Sequence, residues 1–261
     1  MVQSYVTLRA SDHRYFDTDG REYASVSKVR SIIHKPFDRE FWSKRKAQQL
    51  GVSQKEVLAG WDKNLGEANS HGTRIHDSLE TYGKKFIIAP ENEELEPMIK
   101  SVYADYAEYY RCFEEVCLYH PELFQAGTAD KILQVSSSKT SPVDIEDYKT
   151  NIKKGLQFSN GYGQYLLEPV SFLQDCNWND YCLQLSIYGY FFETLTGRKI
   201  RNLWLRFIPP SDPMNHRRWP VPYMRMEAEA VCRQYRASQQ IKQSLQSVGP
   251  ITQDDNEPIF V

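Results

Sequence analysis

The chain of 261 residues contains no run approaching the roughly 18 to 20 uninterrupted apolar residues that a membrane helix needs, so no span is expected and no membrane partner. Its first sixteen residues, MVQSYVTLRASDHRYF, lack both the basic-then-apolar order of a secretory signal and the acid-free amphipathic character of a transit peptide. A cytoplasmic protein is therefore expected. Cysteine is scarce and odd in number, five residues at 112, 117, 176, 182 and 232, and none form a CxxC pair. That excludes a disulfide framework and gives no indication of structural zinc or an iron-sulfur cluster. The phosphate-cradling GxxxxGK[ST] loop is absent, as are internal repeats and long low-complexity tracts.

Net charge is also nearly missing: 32 basic against 34 acidic residues give -2, which on its face argues against a nucleic-acid partner. The distribution is segregated, however. Residues 86 to 130 carry ten acidic and two basic residues, whereas 197 to 242 carry ten basic and three acidic. Each block taken alone is equally well a solvated helix face.

What is present is ordinary globular material, 41% hydrophobic, 25% charged and 13% aromatic, enough for one sizeable core. RYFDTDGREYASVS predicts a hairpin around Thr-Asp-Gly. Residues 27 to 83 predict several helices. Ser53 and Glu56 form a capping-box signature, Gly66 and Gly72 break the stretch, and a short helix from about Thr73 to Tyr82 is stopped by Gly83. A further helix is expected over 92 to 113. After Glu115, VCLYH, LFQAGTADKILQV and PVDIEDYKT predict consecutive antiparallel strands. A helix over 178 to 195, a strand at 202 to 208, a proline-rich connector at 209 to 222 and a last helix from about 223 to 245 complete the order. The fold class expected is mixed α/β, a central mixed sheet flanked by helices.

Asp147-Tyr148-Lys149 is the one acidic-x-Lys triplet in the chain. It ends a β-prone run, and Asp130 follows GTA in the run before it. Antiparallel pairing brings the two carboxylates together at one end of a sheet, with Asp147 and Lys149 on one side and Tyr148 on the other. Two carboxylates and a lysine suit a hard divalent cation, Mg2+ or Mn2+, and a water oriented for attack on a phosphodiester. An ordinary surface pair of Asp130 with Lys131 or Lys149 is the plain alternative. In HGTRIHDSLE, Gly72, His76 and Glu80 share a helix face; in QLSIY, Gln184 and Tyr188 do the same. A structural histidine and a core hydrogen bond explain these equally.

Taken in order, GTRIHDSLE, GTAD, DYK and QLSIY resemble the RecB-like branch of the PD-(D/E)xK nuclease superfamily, including phage-type and mitochondrial-type single-strand exonucleases. The resemblance spans about Gly72 to Glu193. It implies a restriction-endonuclease-like core at 72-248, preceded by a hairpin and helical region at 1-71 and followed by an acidic flexible tail at 249-261. By the same resemblance Asp130, Asp147 and His76 are metal ligands together with the Tyr148 backbone carbonyl, and Lys149 orients water or neutralises charge. Glu80, Gln184 and Tyr188 support catalysis or contact the strand, and Glu115 is a further ligand, with Glu114 the adjacent alternative. The iron-sulfur cysteines of some relatives are missing.

The activity implied is metal-dependent hydrolysis of DNA, single-stranded or with a free end, in replication, recombination or repair. A phage origin, with work in the host cytoplasm, is in keeping with it. Lys153, Lys154, Arg198, Lys199, Arg201, Arg206, Arg217 and Arg218 become a candidate phosphate track, with Trp204, Phe207 and Trp219 as stacking platforms. The tail QDDNEPIFV has the make-up of a docking peptide for a replication or recombination protein. A non-catalytic nucleic-acid-binding module and an adaptor in which the motifs are coincidental are the rival readings.

Overall fold

The β-prone runs pair into one mixed sheet. A computed structural model of the chain describes residues 5–150 and 155–247. Strands β1 (Val6–Arg9), β2 (Arg14–Asp17) and β3 (Glu22–Ser25) form an antiparallel meander. The turn between β2 and β3 is the expected one: Asp17 accepts from the backbone N–H groups of Asp19 (3.0 Å) and Arg21 (2.8 Å), and Gly20 takes φ 78°.

Strand β4 (Arg111–His120) runs antiparallel to β5 (Gln125–Gln134) along its whole length. The other edge of β5 is shared. β3 lies parallel to it at Gln125 and Ala126, and β6 (Val143–Lys149) lies antiparallel to it from Lys131 to Gln134. Residues 127–130 fall between those two ladders, so the sheet opens a notch there. β6 continues through β7 (Ile200–Phe207), parallel to it, to β8 (Arg217–Val221) at the margin. β8 lies in the proline-rich stretch expected to be a connector. Its Pro220 is tolerated because an edge strand has no outer ladder needing that N–H.

Helices cover both faces. Helix α1 (Val26–Arg30) follows β3 directly, capped by Ser25. α2 (Arg39–Leu50) packs on α3 (Gln54–Lys85), which runs unbroken for 32 residues. The glycines expected to break it do not, because the capping box forms at Ser53 and Glu56 and Ile75 and Leu79 anchor the far end in the core. Each interior glycine costs about 1 kcal/mol, less than a new pair of helix ends. The boundary expected at residues 71 and 72 falls inside this helix.

α4 (Glu96–Ala104) ends nine residues before the expected limit of 113. Tyr106 and Tyr109 turn back into the core instead, their hydroxyls donating to Glu146 (2.6 Å) and Asp144 (2.8 Å). α5 (Asn177–Thr196) is apolar around most of its circumference and largely buried, and Gly197 closes it at φ 67°. α6 (Arg225–Ser247) is the last element.

One core lies between the sheet and α1, α5 and α6; a second lies on the opposite face beneath α3 and α4. The result is a mixed α/β fold, a central mixed sheet flanked by helices. Among the described residues no helix is long and apolar enough to cross a membrane.

Candidate functional site

β5 and β6 carry the register one step past their last paired residues, Lys131 and Glu146, and that step sets Asp130 across from Asp147 at the notch. Here the strands part, and the Tyr148 N–H donates to Asp130 Oδ2 (2.6 Å). Alternation along β6 turns Val143, Ile145 and Asp147 toward α5 and Tyr148 into the opposite core. Lys149 forms an ion pair with Asp147, and its Nζ stands 5.0 Å from the centre of the Tyr181 ring. From α5, Gln184 Nε2 donates to Asp147 Oδ1 (3.2 Å) and to the Tyr188 hydroxyl (2.9 Å). Tyr188 lies against the strand only because residue 127 is glycine: a Cβ there would sit 2.7 Å from the Tyr188 ring and 2.7 Å from Val26.

α3 brings His76 over the notch, its Nδ1 3.3 Å from Asp130 Oδ1. Gly72, one turn earlier, passes the end of β6 closely enough that a Cβ would lie 3.1 Å from the Thr150 hydroxyl. β4 supplies Glu115, which sits opposite Asp130 with a left-handed backbone, φ 49°. Such a conformation is uncommon for a non-glycine residue and recurs where a site holds it. Adjacent Glu114 is committed elsewhere, to the buried Lys131 (2.7 Å). Of the adjacent pair it is Glu115 that faces Asp130.

One ligand atom each from His76, Glu115 and Asp130 lie within 4.8 Å of one another. At metal–oxygen bonds of roughly 2.1 Å, two ligands of one ion are at most about 4.2 Å apart. Three ligands of one ion stand roughly 3–4 Å from one another, so the set would have to draw in by about an ångström to share a single cation; an imidazole with carboxylates is donor chemistry that divalent metals accept.

The charges bear the mark of that crowding. Burial, reinforced by the Asp130 charge, pushes Glu115 up to about 8. Burial alone would lower His76, but the Asp130 carboxylate outweighs it and holds the imidazole at about 9. Asp130 is lowered: burial opposes its ionisation, and the His76 and Lys149 charges overcome burial. Asp147 is raised by burial and by Asp130, against the pull of Lys149. Lys149 stays protonated, since the charges of Asp147 and Asp130 more than offset its burial.

Gly72, His76, Glu80, Glu115, Asp130, Asp147, Tyr148, Lys149, Gln184 and Tyr188 all line one open cleft of about 2690 Å³. Glu80 is also ion-paired with Lys84. Among the described residues of the expected phosphate track only Arg198 reaches this cleft, while donating to the Ser141 carbonyl (2.8 Å). Arg206 is a correction. It is fully buried, bound to Glu146 (2.5 Å) and Asp105 (2.8 Å), because β6 turns acids inward on its far face and needs cations to match them. Arg201 forks onto Asp144 (2.8 Å) and Arg218 binds Glu146 (2.6 Å) in the same network, while Lys199 and Arg217 are exposed away from the cleft. Trp204 donates to Asp144 (3.0 Å) and Trp219 packs on Phe158. Neither is a free platform. Lys153, Lys154 and the tail 249–261 lie outside the described residues.

Two residues beside the site belong to none of the sequence motifs. Arg30 of α1 pairs with Asp180, and its charge is felt by Asp147. Asp180 stands one helical turn before Gln184, so extending that periodicity would have found it; Arg30 is brought in only by tertiary structure.

No protein-family model matches the chain, and no curated protein matches it in sequence. Among solved structures, a candidate exonuclease from Eubacterium rectale is 11% identical, with 86% of this chain and 81% of its own covered and a TM-score of 0.39. An alkaline exonuclease from Laribacter hongkongensis is 12% identical, with 86% and 91% covered and a TM-score of 0.39.

Proposed function

We propose that the protein is a divalent-cation-dependent nuclease of the RecB-like PD-(D/E)xK type. The observation that carries this reading is the meeting of His76, Glu115 and Asp130 within 4.8 Å, beside an Asp147–Lys149 pair held by Gln184. A bound Mg2+ or Mn2+ supplies charge neutralisation and a water of lowered pKa. His76, Glu115 and Asp130 would hold it, with Asp147 and the Tyr148 carbonyl beside them. Lys149, kept protonated by its two carboxylate neighbours, donates to the attacked phosphate and offsets its growing negative charge. Gln184 and Tyr188 fix the Asp147 carboxylate, and Glu80 stands at the cleft wall.

The substrate is DNA with a free end, the mode exonucleolytic, and the products carry 5'-phosphates. The setting is replication, recombination or repair in the cytoplasm, or in a phage-infected host's cytoplasm. The test is digestion of end-labelled linear single-stranded, linear duplex and circular DNA with Mg2+, Mn2+ or chelator. Metal-dependent loss of linear strands with circles spared is expected. A wild-type protein that cleaves none of them with either metal is a binding module, and the reading fails.

A further inference from the structure

Along β5 beyond the metal site, Asp130, Ile132 and Gln134 turn alternate side chains into the cleft, and Phe113 lies across from Ile132 on β4. The cleft therefore does not stop at the metal. It continues to the end of the strand, about 13 Å farther at roughly 3.3 Å per residue. There the turn between β5 and β6 meets the link between α5 and β7, with the Arg198 Nε donating to the Ser141 carbonyl (2.8 Å). Lys139 of the turn and Arg198 of the link both line the cleft.

Arg198 is unlike the rest of its basic block. Arg201, Arg206, Arg218 and Arg225 each answer a carboxylate. Arg198 answers none, and burial pulls its guanidinium below the ordinary value with no acid to oppose the shift. Its Nη2 is shut off from solvent without a hydrogen-bond partner, and so is the hydroxyl of Ser141. Buried polar groups are nearly always paired, so two orphans on residues already bonded to each other ask for a shared ligand. Glu193, the acid nearest in sequence, is taken by Arg225 (3.3 Å) and Tyr223 (3.2 Å). Arg111, opposite Gln134, holds its guanidinium 5.6 Å from the centre of the Phe113 ring, and neither it nor Lys139 forms an ion pair among the described residues.

Resting on the nuclease reading, we propose that Arg198, Ser141 and Lys139 form a second phosphate subsite, which takes an internal phosphate of the substrate strand about four nucleotides from the scissile one. The spacing follows from the length of β5 between Asp130 and Gln134 and the roughly 3.4 Å rise of a stacked strand. An anion satisfies the orphaned Nη2 and hydroxyl together and supplies the counter-charge that Arg198 lacks. A nucleic-acid strand is favoured over an acidic peptide because the subsite opens onto the same cleft as the metal site, so one strand reaches both.

The experiment reads binding without turnover. Fluorescently labelled dTMP, (dT)5 and (dT)12 are titrated in chelator, over a range of salt, against the full chain and its Arg198→Gln, Lys139→Gln and Ser141→Ala variants. Lys139 is exposed and the Ser141 hydroxyl is unbonded, so neither change threatens folding, and circular dichroism melts check Arg198→Gln. Arg198→Gln is expected to bind (dT)12 about tenfold more weakly, and the other two variants to weaken it in the same direction. The slope of log K against log salt should shrink by about 0.7 in Arg198→Gln, the share of one single-strand phosphate contact. The gap between wild type and Arg198→Gln should be absent on dTMP and open at about (dT)5. Unchanged affinity and slope for (dT)12 in Arg198→Gln overturn the proposal, as does a wild type that leaves (dT)12 unbound. A gap on dTMP as large as on (dT)12 also overturns it, since the site then holds a released nucleotide, and so does equal, Arg198-dependent affinity for a twelve-residue polyglutamate. Because no cleavage is read, Arg198-dependent strand binding by a protein that digests nothing defeats the nuclease reading and leaves the subsite standing.

Discussion

Glu115 is the residue whose behaviour most depends on what occupies the site. It faces Asp130 across two strands in a left-handed conformation, and burial with that neighbouring charge pushes it from its ordinary 4.5 up to about 8. A carboxyl raised on folding stabilises fully below 4.5, and that contribution is lost as the pH rises through about 8. Chelated wild type should therefore lose stability relative to Glu115→Gln between pH 5 and pH 8.5, as read by urea denaturation. Saturating Mg2+ should narrow the difference at high pH, because a cation stabilises the ionised glutamate that the glutamine cannot mimic. A difference that is flat with pH would show that Glu115 is not held against a second charge.

At the scale of elements, α3 is the part least like its sequence. Gly66 and Gly72 read as breaks, yet the helix is carried through by a capping box at one end and a core anchor at the other. Gly66→Ala should stabilise the protein by about 0.5–1 kcal/mol in denaturant titrations, since the added Cβ meets no atom and the unfolded chain loses freedom. No gain would mean that α3 is not helical there in solution.

The strands were more legible. GTAD, DYK and their flanking β-prone runs located β5 and β6, and period-two alternation separated Asp147 from Tyr148 correctly. β8 was hidden by Pro220, which only its place at the sheet margin makes acceptable. The helix past Ala104 was overextended because Tyr106 and Tyr109 keep helical spacing while serving a different purpose, hydrogen bonds to acids on β6.

For the whole molecule, the near-zero net charge conceals two separate uses of charge. The basic block at 197 to 242 is in part internal: buried Arg206 and largely buried Arg218 balance Glu146, while exposed Arg201 reaches in to Asp144. Linear sequence shows such charges but not their partners, which come from strands and turns distant in the chain: of the expected phosphate track Arg201, Arg206 and Arg218 are ion-paired with Asp144 and Glu146, while Lys199 and Arg217 are exposed. The acids at the notch converge on each other with His76 and Lys149, an arrangement that the proposed cation and phosphate would complete. Motif order reached that constellation because each motif is local to one strand or one helix face. Arg30 was out of reach because tertiary packing alone places it.

The most direct measurement is the single-turnover rate of cleavage of an end-labelled linear single strand in Mg2+, for wild type and Lys149→Ala purified identically. Lys149 is ion-paired with Asp147 but does not belong to the His76–Glu115–Asp130 set, so its loss leaves the metal ligands in place. The account predicts cleavage by wild type, abolished by chelator, and a rate about 10²- to 10⁴-fold lower in Lys149→Ala with strand binding retained. Equal rates for the two proteins, or no cleavage by wild type, would contradict it.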